Sequence, residues 1–259
     1  MKSLGYYNGK IGELEEMEIP MLDRAVYFGD GVYDVAYAVN YQVILLEEHI
    51  DRFYENIAKM KINPPINQDS LKDIILNLVK MLDCGDLQIY FQMSRGSGIR
   101  EHAYCDNMKG NLLIMINEKK IISNIDVECI TKEDTRFLHC DLKTLNLIPA
   151  VMAAKEAKDK NVYEVIFHRN GRITECSHSN VHIIKGNKFI TAPLDNLILP
   201  GVSRKHLIKK MKIKGYEIQE REYYLDELYS ADHVLLTAAG APCLSVKKVD
   251  GYSYKTIKI

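Results

Sequence analysis

The segment from Val162 to Arg204 constrains this chain more tightly than any other. Val162 to His168 and Arg172 to Glu175 are apolar-rich runs on either side of Asn170-Gly171. Asn-Gly between such runs favours a tight hairpin, because both residues tolerate positive φ. Glu175 is therefore expected on a rigid second strand. Leu199-Pro200-Gly201-Val202-Ser203-Arg204 then leads into a predicted helix from Ser203 to Lys214, closed by Gly215. A glycine and a hydroxyl at a helix start leave backbone N–H groups that suit a phosphate. An acid on a strand and an anion cradle together suit a ligand with both a basic nitrogen and a phosphate.

The rest of the chain reads as strands and helices mixed in both halves. Tyr6-Tyr7 and Lys10-Ile11 flank Asn8-Gly9, a second hairpin signal. Val32 to Val39 and Gln42 to Leu46 are predicted to pair. Ile50, Phe53, Ile57 and Met60 recur at helical spacing and predict a helix from Glu47 to Met60. Asn63-Pro64-Pro65 ends it. A further helix is expected from Ser70 to Leu82, with Ser70 as its N-cap. Leu87 to Met93 and Asn111 to Ile116 read as strands around a polar loop, Arg95 to His102. Val127 to Thr131 is expected as a strand, and Pro149 opens an Ala- and Lys-rich helix to about Lys160. A hairpin around Gly186-Asn187 and a closing strand from His233 to Thr237 complete the pattern. The expected fold class is α+β (mixed α/β) in two domains: residues 1–117, a linker at 118–124, and residues 125–259.

Composition removes several function classes. The 259 residues suffice for substantial cores, and 47% hydrophobic with 27% charged content is that of a globular protein. With 34 basic and 35 acidic residues there is no broad positive field for nucleic acid. The six cysteines include no C-x-x-C pair, which argues against a zinc ribbon or a thioredoxin-like site, and no metal is expected. Scattered cysteines in a chain this long fit a reducing compartment. The first residues carry no apolar signal core, and runs such as Leu112 to Ile116 are too short to span a bilayer. A cytoplasmic location without membrane attachment is expected.

Taken one at a time, the candidate residues are ambiguous. Lys143 has apolar neighbours, Leu142, Leu145 and Leu147, and a desolvated amine would be more nucleophilic. Most lysines are nevertheless exposed solubilising charges. A strand carboxylate such as Glu175 is ordinarily a surface or ion-pair group. Arg52 would by default pair with acids on its own helix. Arg100 and His102 lie in a glycine-containing loop, where binding residues gather but where most charges are simply solvated.

The order of segments changes those odds. Asp23-Arg24 with Phe28-Gly29-Asp30-Gly31-Val32-Tyr33, Glu48-His49-Ile50-Asp51-Arg52, Tyr90-Phe91-Gln92, Ser94-Arg95-Gly96 and Arg100-Glu101-His102 follow one another. Cys140-Asp141-Leu142-Lys143-Thr144-Leu145-Asn146-Leu147 and His168-Arg169-Asn170 come next, then Glu175, Asn180, Thr191, Leu199, Gly201 and Arg204. Across these segments the chain resembles the class IV pyridoxal-phosphate-dependent aminotransferases, and among them the D-amino acid aminotransferases. The resemblance implies fold type IV: a small N-terminal α/β sandwich and a larger C-terminal pseudo-barrel. It implies pyridoxal 5′-phosphate as cofactor. Lys143 matches the lysine that holds it covalently and moves the proton between substrate Cα and cofactor C4′. Glu175 matches the acid that pairs with the pyridine nitrogen. Arg52, Val202, Ser203, Ala238 and Ala239 match the phosphate surroundings. Tyr33, Arg100 and His102 match the trap for the substrate carboxylate, the last two reaching across from a second subunit, so a homodimer is implied. His178 matches a substrate-pocket position.

The implied activity is ping-pong transfer of an amino group from a D-amino acid such as D-alanine to a 2-oxo acid. Aminodeoxychorismate lyases and L-branched-chain aminotransferases share the fold and generally lack the Arg100-x-His102 pairing. A binding protein that has lost catalysis on the same scaffold is the non-enzymatic alternative. Several positions depart from the pattern. Thr237-Ala238-Ala239-Gly240 stands where relatives carry hydroxyls near the phosphate. His178 replaces a serine, His182 an aromatic residue and His139 an arginine. The usual terminal helix does not follow Asp250-Gly251 before Ile259.

Overall fold

A computed structural model describes residues 3–259. Two compact units emerge: one runs to Ile121 and includes Leu142–Asn146, and the other comprises Ile122–Asp141 and Leu147–Ile259. Five residues around Lys143 therefore belong with the first unit, although the sequence pattern assigns them to the second domain. Residues 1 and 2 of the expected first domain lie outside the described residues.

In the first unit β1 (Ser3–Tyr7) and β2 (Lys10–Gly12) form the expected hairpin. A short helix α1 (Arg24–Phe28) follows, capped by Asp23, whose side chain accepts from Ala25 N. Then come β3 (Gly31–Val39), β4 (Gln42–Val43), α2 (Leu46–Lys59), α3 (Gln68–Met81), β5 (Leu87–Ser94) and β6 (Asn111–Glu118). The strands make one sheet in the order β2-β1-β6-β5-β3-β4, antiparallel throughout. Alternation decides its faces: Leu87, Ile89, Phe91 and Met93 of β5 enter the core with Ile50, Phe53 and Ile57 of α2. Tyr90 and Gln92 point the other way, as does Tyr33, which pairs with Gln92. Ser70 is not the cap of α3. Asn67 Oδ1 accepts from Ser70 N at 2.9 Å, so the helix starts two residues earlier than expected.

The second unit contains β7 (Asp126–Glu133), α4 (Ile148–Asp159), β8 (Glu164–Arg169), β9 (Arg172–Cys176), β10 (Asn180–Lys185) and β11 (Lys188–Thr191). It continues with α5 (Val202–Ile213), β12 (Glu217–Glu220), α6 (Leu225–Tyr229), β13 (His233–Ala238), β14 (Ala241–Val249) and β15 (Tyr252–Ser253). β13 is thus not the closing strand. The sheet runs β12-β11-β10-β13-β14-β7-β8-β9, with β15 on β14. Three neighbouring pairs are parallel: β7 with β8 and β11 with β12, where α4 and α5 provide the crossovers, and β14 with β7. One sheet face carries Val181, Ile183, Val234, Leu236, Leu244 and Val246. The other packs Ile184, Phe189 and Leu235 under Leu207 and Met211 of α5, and Val165 and Phe167 under the small Ala153 and Ala157 of α4. No helix of the described residues is long and apolar enough to cross a membrane.

Candidate active site

On the first unit, the lysine segment is clamped to the start of β3 by its backbone. Tyr33 N donates to Lys143 O at 2.9 Å, Leu145 N donates to Gly31 O at 3.2 Å, and Lys143 N donates to Asn56 Oδ1 at 3.1 Å. Gly31 permits this approach: a Cβ there would lie 2.7 Å from Met93 O and 2.9 Å from Leu145 Cδ1. Lys143 is half-buried, and its Nζ sits 4.3 Å from the centre of the Tyr33 ring. Tyr33 stacks in turn on Tyr90, with ring centres 5.4 Å apart. Two predicted residues are thereby brought together.

Arg52 lies on the helix-covered face of the same sheet. Its Nε and Nη2 both donate to the Asp34 carboxylate at 2.8 Å, and His49 Nδ1 approaches the same carboxylate at 2.8 Å. Burial alone would raise the Asp34 carboxyl, but Arg52 and His49 more than offset it and hold it below the ordinary carboxylate range. The Asn56 amide links this cluster to the lysine segment, since its Nδ2 donates to Arg52 O at 2.7 Å. Asp34 went unnoticed in the sequence. Its only signal is a lone acid inside the otherwise apolar run Gly31–Val39.

Arg100 and His102 are both exposed and flank one ring: the Arg100 guanidinium lies 5.1 Å, and the His102 ring 5.1 Å, from the centre of Phe28. Arg24 anchors their loop by donating to Glu101 O at 2.7 Å, while its Nε bonds Asp30. Arg95 also bonds Asp30 and covers the Tyr104 ring at 3.8 Å. These anchors are missing from a spacing-based reading because they join residues some 70 positions apart.

The second unit holds Glu175 as a fixed acceptor. The Asn170-Gly171 turn takes positive φ at both residues, as the dipeptide predicts, and β9 carries Glu175 into the interior. Its Oε2 accepts from Asn180 Nδ2 and from Leu199 N, each at 3.0 Å, and its Oε1 is ion-paired with Arg136 Nη1. Arg136 also grips Asp134 with Nε and Nη2 at 2.9 Å. Burial opposes its charge, but Asp134 and Glu175 outweigh that and raise it above the ordinary guanidinium value. Arg136 is the main residue that sequence reasoning missed here.

Helix α5 begins next to this carboxylate's support. Asn180 Nδ2 also donates to Leu199 O at 3.0 Å, and a Cβ on Gly201 would lie 2.1 Å from Asn180 Oδ1. Gly201 is the N-cap, no side chain caps the helix, and its first turn carries no acid. Backbone N–H groups at Val202 and Ser203 thus remain outside any intrahelical bond. Ser203 Oγ donates to Ala238 O at 3.0 Å, which ties the helix start to the 238–239 turn. His178, on the turn between β9 and β10, is exposed, and its Nδ1 lies 2.7 Å from the fully buried Glu164. Ser177 and Ser179 donate to the same acid. Lys143, Tyr33, Arg52, Arg100 and His102 thus belong to the first unit, and Glu175, His178, Val202, Ser203, Ala238 and Ala239 to the second.

His182 is buried with Thr191 Oγ1 and Thr237 Oγ1 each 2.9 Å from one ring nitrogen. Burial, and secondarily the Arg204 charge, push its pKa down to about 3. Unfolded, the imidazole would bind a proton near its ordinary value of about 6.5, whereas the folded one does not. Stability is therefore expected to fall as pH drops from about 6.5 toward 3, by up to about 1.4 kcal/mol per pH unit from this residue. Urea unfolding of wild type and His182→Gln at pH 7 and pH 5 checks this. The wild type should lose about 2 kcal/mol more than the variant.

The first unit thus supplies an amine over an aromatic ring, and the second, taken by itself, a charge-braced carboxylate and a helix start with backbone N–H groups outside any intrahelical bond. Comparison with known proteins identifies the family. The family model for amino-transferase class IV matches residues 31–249. D-alanine aminotransferase of Listeria monocytogenes (serotype 1/2a, strain 10403S) is 34% identical over 250 residues, covering 94% of this chain and 86% of that one. The D-alanine aminotransferase of Bacillus licheniformis is 33% identical over 248 residues, covering 95% and 88%. Among solved structures, a branched-chain aminotransferase of Thermoproteus uzoniensis with norvaline superposes with a TM-score of 0.90 at 20% identity, covering 98% of this chain and 90% of that chain. A fold IV transaminase of Curtobacterium pusillum gives a TM-score of 0.83 at 19% identity, covering 95% and 88%. At such identities these structures establish the fold, and the fold is that of the type IV transaminases.

Proposed function

The chain belongs to the class IV amino-transferase family, and from that premise we propose that it transfers the amino group of a D-amino acid, D-alanine first among them, to a 2-oxo acid. The observation that carries the choice of substrate is the 33–34% identity, over nearly the whole chain, to enzymes named D-alanine aminotransferase. Pyridoxal phosphate is the cofactor, and when bound it supplies the electron sink that lets a proton leave the substrate Cα.

The remaining roles fall to side chains of this chain. Lys143 Nζ is the amine that holds the cofactor and the base that takes and returns the proton at the substrate Cα. Glu175 receives the pyridine nitrogen, and its brace of Arg136, Asn180 and Leu199 N holds the carboxylate in place. The start of α5 receives the phosphate through the N–H groups of Val202 and Ser203, with the Ala238-Ala239 turn beside it. Arg52 contributes to phosphate binding as a cation whose orientation Asp34 fixes. Tyr33, Arg100 and His102 bind the substrate carboxylate, where a guanidinium can make two parallel bonds. Arg100 and His102 are exposed on their own protomer, which supports service to a second copy in a homodimer. A cytoplasmic location agrees with the scattered free cysteines.

A coupled assay tests the substrate assignment. Pyruvate should form from D-alanine and 2-oxoglutarate; turnover of L-leucine or L-valine alone, or of aminodeoxychorismate alone, would contradict it. His178 is expected to restrict the substrate side chain, because Glu164 holds its ring in place. The His178→Ser variant should raise kcat/KM for D-phenylalanine relative to D-alanine by roughly tenfold, the scale of discrimination by pocket size. An unchanged ratio would remove His178 from the substrate site.

A further inference from the structure

We propose that His182 is a positioning residue for the phosphate-binding turn, acting through Thr237; this rests on the phosphate assignment made above. The sheet is irregular beside Thr237. β13 and β14 pair in register up to Leu236 and again at Ala238, and between these pairs the single residue Thr237 faces two residues of β14, Pro242 and Cys243. A bulge of this kind re-aims the residues beside it and needs something to fix its direction.

His182 supplies that restraint. It lies on β10 opposite Leu235, and Asn180 is the residue opposite Thr237. Its ring is fully enclosed, with Phe189 stacked on it at 5.2 Å between ring centres. Nδ1 meets Thr191 Oγ1 and Nε2 meets Thr237 Oγ1, each at 2.9 Å. A neutral imidazole has one N–H and one lone pair, so it donates to one hydroxyl and accepts from the other. A protonated ring would need two acceptors, and burial disfavours its charge. The ring is therefore a neutral bridge joining β11, β10 and the β13 residue that faces the bulge.

What the bridge positions follows from the next residue. Ala238 O accepts from Ser203 Oγ at 3.0 Å, so the end of β13 and the start of α5 are tied together. The hydrogen bonds Thr191–His182–Thr237, continued through the peptide link to Ala238 and its bond with Ser203, run from β11 to the start of α5. Ala238 and Ala239 bring no hydroxyl of their own, so at these residues only the backbone can bind an anion. Backbone donors act only where the turn is held in place, and His182 holds it.

The test compares pyridoxal phosphate with pyridoxal, which lacks the phosphate, in titrations of the full chain freed of cofactor. Wild type should bind pyridoxal phosphate far more tightly. In His182→Phe the preference for the phosphorylated form should drop by roughly fivefold to tenfold, the effect of one hydrogen bond, with pyridoxal affinity retained. His182→Gln, which can still donate and accept, should restore most of it. An unchanged preference in His182→Phe, or equal weakening of both compounds, would overturn the proposal. Should His182→Phe fail to fold, Thr237→Val breaks the same link and is read in the same way. Failure of wild type to bind either compound would instead overturn the functional reading itself.

Discussion

Lys143→Ala is expected to abolish transamination, lowering kcat by at least about 10⁴-fold, because one change removes both the covalent attachment and the base at the substrate Cα. The fold should survive. The contacts that seat this segment are made by backbone atoms: Lys143 N to Asn56, Lys143 O to Tyr33 N, and Leu145 N to Gly31 O. Alanine keeps all of them. What is lost from the folded state is the ammonium over the Tyr33 ring, worth about 1 kcal/mol at a half-buried position. Steady-state kinetics with D-alanine, paired with a thermal unfolding curve, separates the two effects. An inactive protein with a nearly unchanged melting temperature is the expected result. A variant within tenfold of wild-type turnover would show that another amine does the work.

Arg136→Met is expected to destabilise the second unit by about 3 kcal/mol. Arg136 is the cation shared by two buried carboxylates, Asp134 and Glu175. Burial would raise the Asp134 carboxyl, and Arg136, with Arg169 behind it, reverses this and holds it below the ordinary range. Methionine matches much of the volume but leaves both acids without their main partner. Breaking a buried ion pair from one side costs about 3–5 kcal/mol. The lower end is expected here, because Arg169 Nε stays 3.3 Å from Asp134 and Thr174 Oγ1 still donates to it at 3.0 Å. Urea unfolding at pH 7 gives the value. Lys155→Met, which removes an exposed pair with Asp159, is the control and should cost no more than about 0.5 kcal/mol. A loss of under about 1 kcal/mol for Arg136→Met would show that the acids are not held by its charge. Since Glu175 loses its brace as well, weaker cofactor retention should accompany the loss of stability.

How much of this was legible in the sequence depends on how local each signal is. The Asn170-Gly171 hairpin, the glycine before α5 and the apolar alternation of β5 are local, and the structure contains all three. Lys143 was legible as a candidate only through the run of segments around it. The contacts that give it meaning, to Tyr33 and Asn56, lie some 90 to 110 residues away. Arg136 sits in Glu133-Asp134-Thr135-Arg136, which has the composition of a solvated turn. Nothing in that string reveals that Asp134 is buried. β12 was missed because Glu217–Glu220 is short, polar and at a sheet edge, where neither face demands alternation. α1 and α6 have five residues each, too few for helical periodicity to register. The choice of Asn67 over Ser70 as a cap was a contest between two capable residues three positions apart, decided by where the chain enters α3.

Borohydride reduction of the purified protein, followed by proteolysis and mass spectrometry, tests the central claim most directly. A yellow protein that bleaches on reduction and carries the phosphopyridoxyl mass on Lys143 alone is the expected result. Label on a different lysine, or a protein that takes up no label after incubation with pyridoxal phosphate, would contradict it.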